Sequence, residues 1–292
     1  MTKIAYLVRN MLAALALLAS PAGALDFSLG ISGTSVDRFD YEIGLLELAL
    51  EKADGNHSIS IVTLEDTPRS RMVTLLANGN TTFDIMVTGI TRERHALLRA
   101  VPVPLTRGLL GYRILIVCDD PNGHIGHIET LDDLKKLAIG SGTDWPDTMI
   151  MRDAGLNITA ADYENLFKMV SLGRIKGFAR GALEPYIEIA NRAEKYPNLK
   201  VDETIAIVYP FDAFFFVNRQ DEERYRVVLQ GLERAYEDGS FLKYFKNSEG
   251  YKYATKHARL SARRQFALKN RTVPDLMDMI PSSYWHDSSL TN

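Results

Sequence analysis

Short apolar runs alternate with longer stretches of helical period along almost the whole chain. Residues 27–31 read as a strand, and 41–52 (YEIGLLELALEK) as an amphipathic helix. Residues 58–64 alternate as a strand, 69–77 are helical, and 83–87 form another strand. This strand-helix-strand order predicts parallel βαβ units and sheets covered on both faces, an α/β fold. Around 102–117 (PVPLTRGLLGYRILIV) two extended segments flank Gly108 and Gly111. A second α/β set follows: a helix at 131–137, a strand ending at Gly140, the turn 141–144, and a helix at 146–154. Asp144 is expected to cap that helix, with Pro146 at a tolerated early position. Then come a helix at 162–170, a strand at 175–179, a helix at 182–195, and strands near Lys200 and at 205–208. An apolar strand at 211–218 leads to helices at 222–237 and 241–245, and 253–267 reads as helical. Neither a low-complexity linker nor an internal repeat interrupts the chain. Two domains joined by short extended segments behave as hinged lobes.

The N-terminus breaks this rhythm. Lys3 and Arg9 precede an apolar run, 11–19 (MLAALALLA), and Ala22 and Ala24 stand at −3 and −1 of a cut before Leu25. That order is the grammar of a cleavable export signal over residues 1–24. The alternative, a membrane anchor, needs roughly 20 apolar residues, which this run does not supply. Cys118 is the only cysteine, so an intramolecular disulfide is excluded, and the cleavage site has no cysteine to lipidate. Inside the apolar run 114–117 it reads as a buried small hydrophobe. The expected location is a bacterial periplasm.

Composition adds exclusions. Hydrophobic content of 46% with 24% charge supports substantial cores and argues against disorder. A net charge of −3, with no basic run longer than two residues, gives no attraction to nucleic acid. The pair His124 and His127 with Glu129 has no second ligand cluster and reads as a solvated loop rather than a metal site. No G-x-S-x-G elbow, P-loop or H-E-x-x-H occurs. No cofactor is expected.

Four segments, in order, carry a resemblance: Phe83-Asp84-Ile85-Met86 with Gly89-Ile90-Thr91-Arg92-Glu93-Arg94; Leu131-Asp132-Asp133-Leu134-Lys135 with Ala138 to Thr143; Leu172-Gly173-Arg174-Ile175; and 213–245, with its Asp238-Gly239-Ser240 turn. On them the chain resembles the extracellular solute-binding proteins of family 3. The resemblance implies a two-lobed periplasmic-binding-protein-like II fold, each lobe a mixed, mainly parallel sheet flanked by helices. Lobe one is then residues 25–108 plus 213–292, lobe two is 109–212, and the chain crosses between them twice. The implied function is capture of a small solute between the lobes by a monomer, for an ABC importer. A sensor's ligand-binding partner and a periplasmic dehydratase of cyclic carboxylic acids are the alternatives on the same fold.

The resemblance also places candidate ligand contacts. Arg94 matches the arginine that pairs with a ligand carboxylate, and Thr91 lies in the same segment. Because the segment is two residues short, Arg92 is the other candidate. A guanidinium fork suits a carboxylate bidentately. Thr143 matches the lobe-two turn beside a helix N-terminus. Trp145 either stacks on a ligand or packs in lobe two, and Asp147 either bonds a ligand or favours the helix start. Amino-acid-binding members place an acidic residue near 180–181, where this chain has Arg180. That reversal predicts an anionic or carbonyl-rich ligand, unless Arg180 is spent in a salt bridge with Glu184 or Asp147. Glu184 could supply the missing negative charge, or, like Asp147, a general acid. Tyr209 and Tyr112 either line the cleft or pack at the hinge.

Overall fold

Two separate sheets carry the chain. The computed structural model describes residues 23–33, 36–65, 67–120, 125 and 127–286. Residues 1–22, most of the expected export signal, and His124 lie outside the described residues.

The first sheet has the order β2-β1-β3-β11-β4, with β1 Asp26–Ser32, β2 Ser58–Leu64, β3 Ile85–Gly89, β4 Leu98–Ala100 and β11 Ala213–Asn218. β1 runs parallel to β2 and β3, while β11 returns antiparallel between β3 and β4. β11 is apolar at successive positions because helices cover both faces. Phe215 and Val217 join the core of Phe27, Leu45 and Leu232, and Phe214 and Phe216 that of Met72, Leu76 and Phe83. Helix α1 (Asp40–Lys52) and helix α8 (Glu222–Glu237) pack closely at Gly231, where a Cβ would stand 1.8 Å from the Ala49 carbonyl oxygen. Only glycine allows that approach.

The second sheet has the order β12-β10-β5-β8-β6-β7, with β9 also on β5. Its strands are β5 Tyr112–Cys118, β6 Ile139–Gly142, β7 Ile158–Ala161, β8 Gly177–Gly181, β9 Leu199–Val201, β10 Ile205–Val208 and β12 Arg264–Ala267. β6 is parallel to β7 and β8, whereas β5 meets β8, β9 and β10 antiparallel. The expected helix over 182–195 is confined to Pro185–Ala190, here α7.

The segments joining the sheets, 101–111 and 209–212, are tied by Asp212. Its fully buried carboxylate accepts from Thr106 N (3.1 Å), Thr106 Oγ1 (2.9 Å) and Gly108 N. Desolvation pushes this carboxyl up to about 6, with those donors pulling the other way.

The C-terminus departs from expectation. Instead of one helix over 253–267, a short helix (Glu249–Tyr253) gives way to a π-helical turn (Ala254–Ala258), Arg259 turns left-handed at φ 44°, and Arg264–Ala267 is a strand. That strand pairs in parallel with β10, so residues 264–267 belong to the second sheet and not to lobe one. The edge of β10 supplies the partner, and Phe266 is buried with Ile205 and Ile207. Buried Arg263 locks the approach by donating to the Ala258, Asp202 and Ile205 carbonyls. The chain then returns, and Met277 and Ile280 join the core of Met72 and Leu76. The chain therefore crosses between sheets four times, not twice.

Candidate functional site

The seam between the lobes gathers most of the buried charge. On the first lobe, Thr91 precedes helix α3 (Arg92–Leu97) and caps it, its Oγ1 accepting from Arg94 N at 3.1 Å. The cap turns Arg94 inward, only 8% exposed. Its Nη1 donates to Thr88 Oγ1 (2.5 Å) and the Gly89 carbonyl (3.1 Å). Its Nη2 crosses the seam to the Asp144 carbonyl at 3.1 Å. Desolvation lowers the affinity of this guanidinium for its proton, opposed by the charges of Asp144 and Asp147. Arg92 instead faces the C-terminal segment, donating from Nε to the Val273 carbonyl and pairing with Asp275 at 3.6 Å. Of the two arginines, Arg94 is the one at the seam.

The second lobe presents a neutralised network. Asp147, buried in helix α5 (Pro146–Asp153), accepts from Arg113 and from Tyr209 Oη at 2.6 Å. Arg113 Nε donates to Tyr209 Oη at 3.1 Å, and its Nη1 lies 3.4 Å from Glu184. Arg180 donates from Nε to Glu188 (2.7 Å) and from Nη2 to Glu184 (2.5 Å) and Glu188 (2.6 Å). Burial works against the charge of both arginines, yet their carboxylate partners hold each above the ordinary guanidinium value. Of the two readings of Arg180, the salt bridge with Glu184 is the one observed, with Glu188 added, while Asp147 pairs with Arg113 instead. Three carboxylates, Asp147, Glu184 and Glu188, face two guanidiniums, because Glu188 stands one helical turn after Glu184. Trp145 folds over Gly142, where a Cβ would meet the indole at 2.3 Å, and stacks on Phe178 with ring centroids 6.0 Å apart. That is the packing reading of Trp145, with Arg180 4.7 Å above the ring. Tyr209 is likewise buried, whereas Thr143 is exposed.

Further contacts cross the seam that the sequence did not suggest. Asp144 caps no helix of its own: Trp145 holds that position without a side-chain bond. The Asp144 carboxylate instead accepts from Ser70 N at 2.6 Å, at the start of helix α2 (Arg69–Ala77), where the preceding Pro68 has no capping side chain. The Arg38 guanidinium lies 3.6 Å from the ring centroid of Tyr163, whose Oη donates to Glu188 at 2.7 Å. Half-buried Glu42 is pushed up to about 7 by desolvation, with Arg69 and Arg38 among the groups opposing the shift. Two signals could have found some of these residues. Arg113 interrupts an otherwise apolar strand, which implies a buried partner. Arg69 stands at a helix start, where the dipole disfavours a cation.

The arrangement suits recognition of a small charged molecule by paired, oriented ionic groups. Among the described residues, no three His, Cys, Asp or Glu side chains gather as a metal set, and His127 and Glu129 are exposed. Among the same residues, no helix is long and apolar enough to cross a membrane.

No family model and no curated protein matches the sequence. Solved structures do match. A periplasmic His/Glu/Gln/Arg/opine family-binding protein from Silicibacter pomeroyi in complex with lysine aligns with TM-score 0.56 at 13% identity, over 77% of this chain and 97% of that one. A histidine kinase sensor domain with similarity to periplasmic binding proteins gives 0.57 at 14%, over 75% and 93%. An ancestral amino acid-binding protein, a precursor of cyclohexadienyl dehydratase, gives 0.53 at 16%, over 76% and 94%. At these identities the likeness is one of fold. This chain has the two-lobed periplasmic-binding-protein-like fold of the solute-binding proteins it resembles, and holds nearly the whole of each neighbour within about three quarters of its length.

Proposed function

We propose that this chain is a periplasmic solute-binding protein that closes its lobes on a small carboxylate-bearing zwitterion and hands it to an ABC importer. One observation carries the reading: Arg94 is buried at the seam, oriented by Thr88 and the Gly89 carbonyl, and paired with no carboxylate among the described residues. A desolvated guanidinium kept without a counter-ion is costly unless a ligand supplies one. The surplus carboxylate of lobe two supports an ammonium group on the opposite end of the solute. A purely anionic solute loses its main support, since Arg180 is matched by Glu184 and Glu188. An amino acid bound by a neighbour of this fold agrees with that polarity.

Periplasmic export is supported by the charged, apolar and small-residue order of residues 1–24. Binding without turnover is favoured over dehydration because Asp147 and Glu184, the two candidate acids, are both committed to arginine partners. A sensor in place of a permease remains the second reading, on the fold of the sensor-domain neighbour. Thermal shift of the mature chain against the twenty L-amino acids tests the proposal. A ligand-dependent rise with at least one of them, and recovery of that ligand unchanged, is the expected result. No rise with any at 10 mM (about 100 times a Kd of 0.1 mM) overturns it.

A further inference from the structure

Arg94 is not the only seam arginine of lobe one without a carboxylate. Arg38 and Arg69 also make no ion pair among the described residues, and their guanidinium carbons stand 5.8 and 5.7 Å from the same Phe39 ring. Arg69 opens helix α2, whose first turn holds no acidic residue. Its charge is therefore added to the positive end of the helix dipole instead of being offset by it. Burial, then the charges of Arg38 and Arg94, lower Arg69 to about 10, so three cations crowd one another. Aromatic faces hold two of them in place: Phe39 beside both, and Tyr163 of lobe two against Arg38 at 3.6 Å. Arg113 and Arg180 of lobe two are treated differently, with Asp147 on the first, Glu188 on the second and Glu184 shared between them.

The charge of the whole seam leads the same way. Leaving aside the Arg192–Glu164 pair, which balances itself beside Tyr163, five guanidiniums, those of Arg69, Arg94, Arg113, Arg180 and the exposed Arg38, face four carboxylates, of Asp144, Asp147, Glu184 and Glu188. Glu42 carries only part of a charge at neutral pH. A simple zwitterion leaves that positive surplus in place, whereas a solute of net charge −1 cancels it.

We propose that Arg38 and Arg69 form a second anion subsite beside Arg94, and that the solute is an amino acid bearing an additional acidic group. This rests on the zwitterion reading above. Arg94 takes one carboxylate, the lobe-two acids face the ammonium, and the second acid lies between Arg38 and Arg69. Arg38 already lies against Tyr163 of lobe two, so the subsite spans the seam.

The test is titration calorimetry on the mature chain with L-glutamate and L-aspartate, and with L-glutamine and L-asparagine as their uncharged counterparts. The wild type is expected to prefer an acid over its amide by at least about tenfold. Arg69→Gln and Arg38→Gln are expected to weaken acid binding by about 10- to 100-fold while changing amide binding less than about threefold. Unchanged unliganded melting temperatures show that the variants fold. Equal affinity for acid and amide in the wild type, or equal loss for both in the variants, overturns the subsite and leaves the zwitterion reading standing. In the latter case the pair serves lobe closure alone. Binding of none of the four overturns the subsite, and the screen of twenty amino acids then decides the zwitterion reading by itself.

Discussion

Replacing Arg94 by methionine separates a ligand-binding arginine from a structural one. The guanidinium is 8% exposed, and within lobe one it makes only two neutral hydrogen bonds, to Thr88 and Gly89. Losing them costs about 1–3 kcal/mol, but removing a desolvated charge returns a comparable amount. The unliganded variant is therefore expected to melt within about 3 °C of the wild type. Ligand binding should respond differently. A bidentate carboxylate pair of two charge-assisted bonds contributes about 3–5 kcal/mol, so the Kd should rise by at least about 100-fold. At a solute concentration 100 times the wild-type Kd, the wild type gains about 2.7 kcal/mol, a rise of roughly 5–11 °C in Tm. The variant, now near its own Kd, gains about 0.4 kcal/mol and shifts by roughly 1–2 °C. Differential scanning fluorimetry with and without the best amino acid of the screen reads both quantities. A ligand-induced shift equal to that of the wild type would show that Arg94 does not hold the ligand. An unliganded Tm lowered by 10 °C or more would make Arg94 a structural residue.

Asp147→Ala should strand the buried Arg113, which is 2% exposed. A loss of about 3–5 kcal/mol follows, seen as a Tm roughly 6–20 °C lower. The paired change Arg113→Met with Asp147→Leu should recover most of that loss, and no recovery would count against the ion-pair account. Asp144→Ala removes the cap that lobe two supplies to Ser70. It should weaken solute affinity about fivefold through a cost near 1 kcal/mol, while an unchanged Kd would show that the contact does not favour closure. Glu42 holds its proton up to about 7 in the fold but only to about 4.5 when unfolded. Between those values the native state binds more protons, so stability falls as pH rises and levels off above 7. The decline is of order 2 kcal/mol after screening of a half-buried group. Glu42→Gln should flatten the Tm-against-pH curve between about 6 and 7, leaving at lower pH the part that Asp212, raised to about 6, contributes, and parallel curves for both proteins would contradict it.

The elements read most easily from sequence are those whose pattern is set locally. The strand Ala213–Asn218 is a continuous apolar run because both of its faces are covered, and Glu222–Glu237 keeps a helical period with Val228, Leu232 and Ala235 inward. The strand Arg264–Ala267 has no such pattern. Only Phe266 is buried, and its extended form comes from the edge of Ile205–Val208, some sixty residues earlier. At the site, Asp144 shows the same limit. A local capping rule assigned it to the following helix, but a helix start on the opposite lobe competes for its carboxylate. The role of Arg180 turned on Glu188, a partner no short motif links to it. Arg38 lies in the short turn Val36–Phe39 and Arg69 at a helix start some thirty residues later, and only the fold brings Arg69 to the Phe39 ring beside Arg38.

A crystal structure of the mature chain grown with its best-binding amino acid decides whether Arg94 holds the ligand. Closed lobes are expected, with the solute carboxylate within about 3 Å of both terminal nitrogens of Arg94. Density for the solute outside the seam, or within it but out of reach of Arg94, would contradict that expectation.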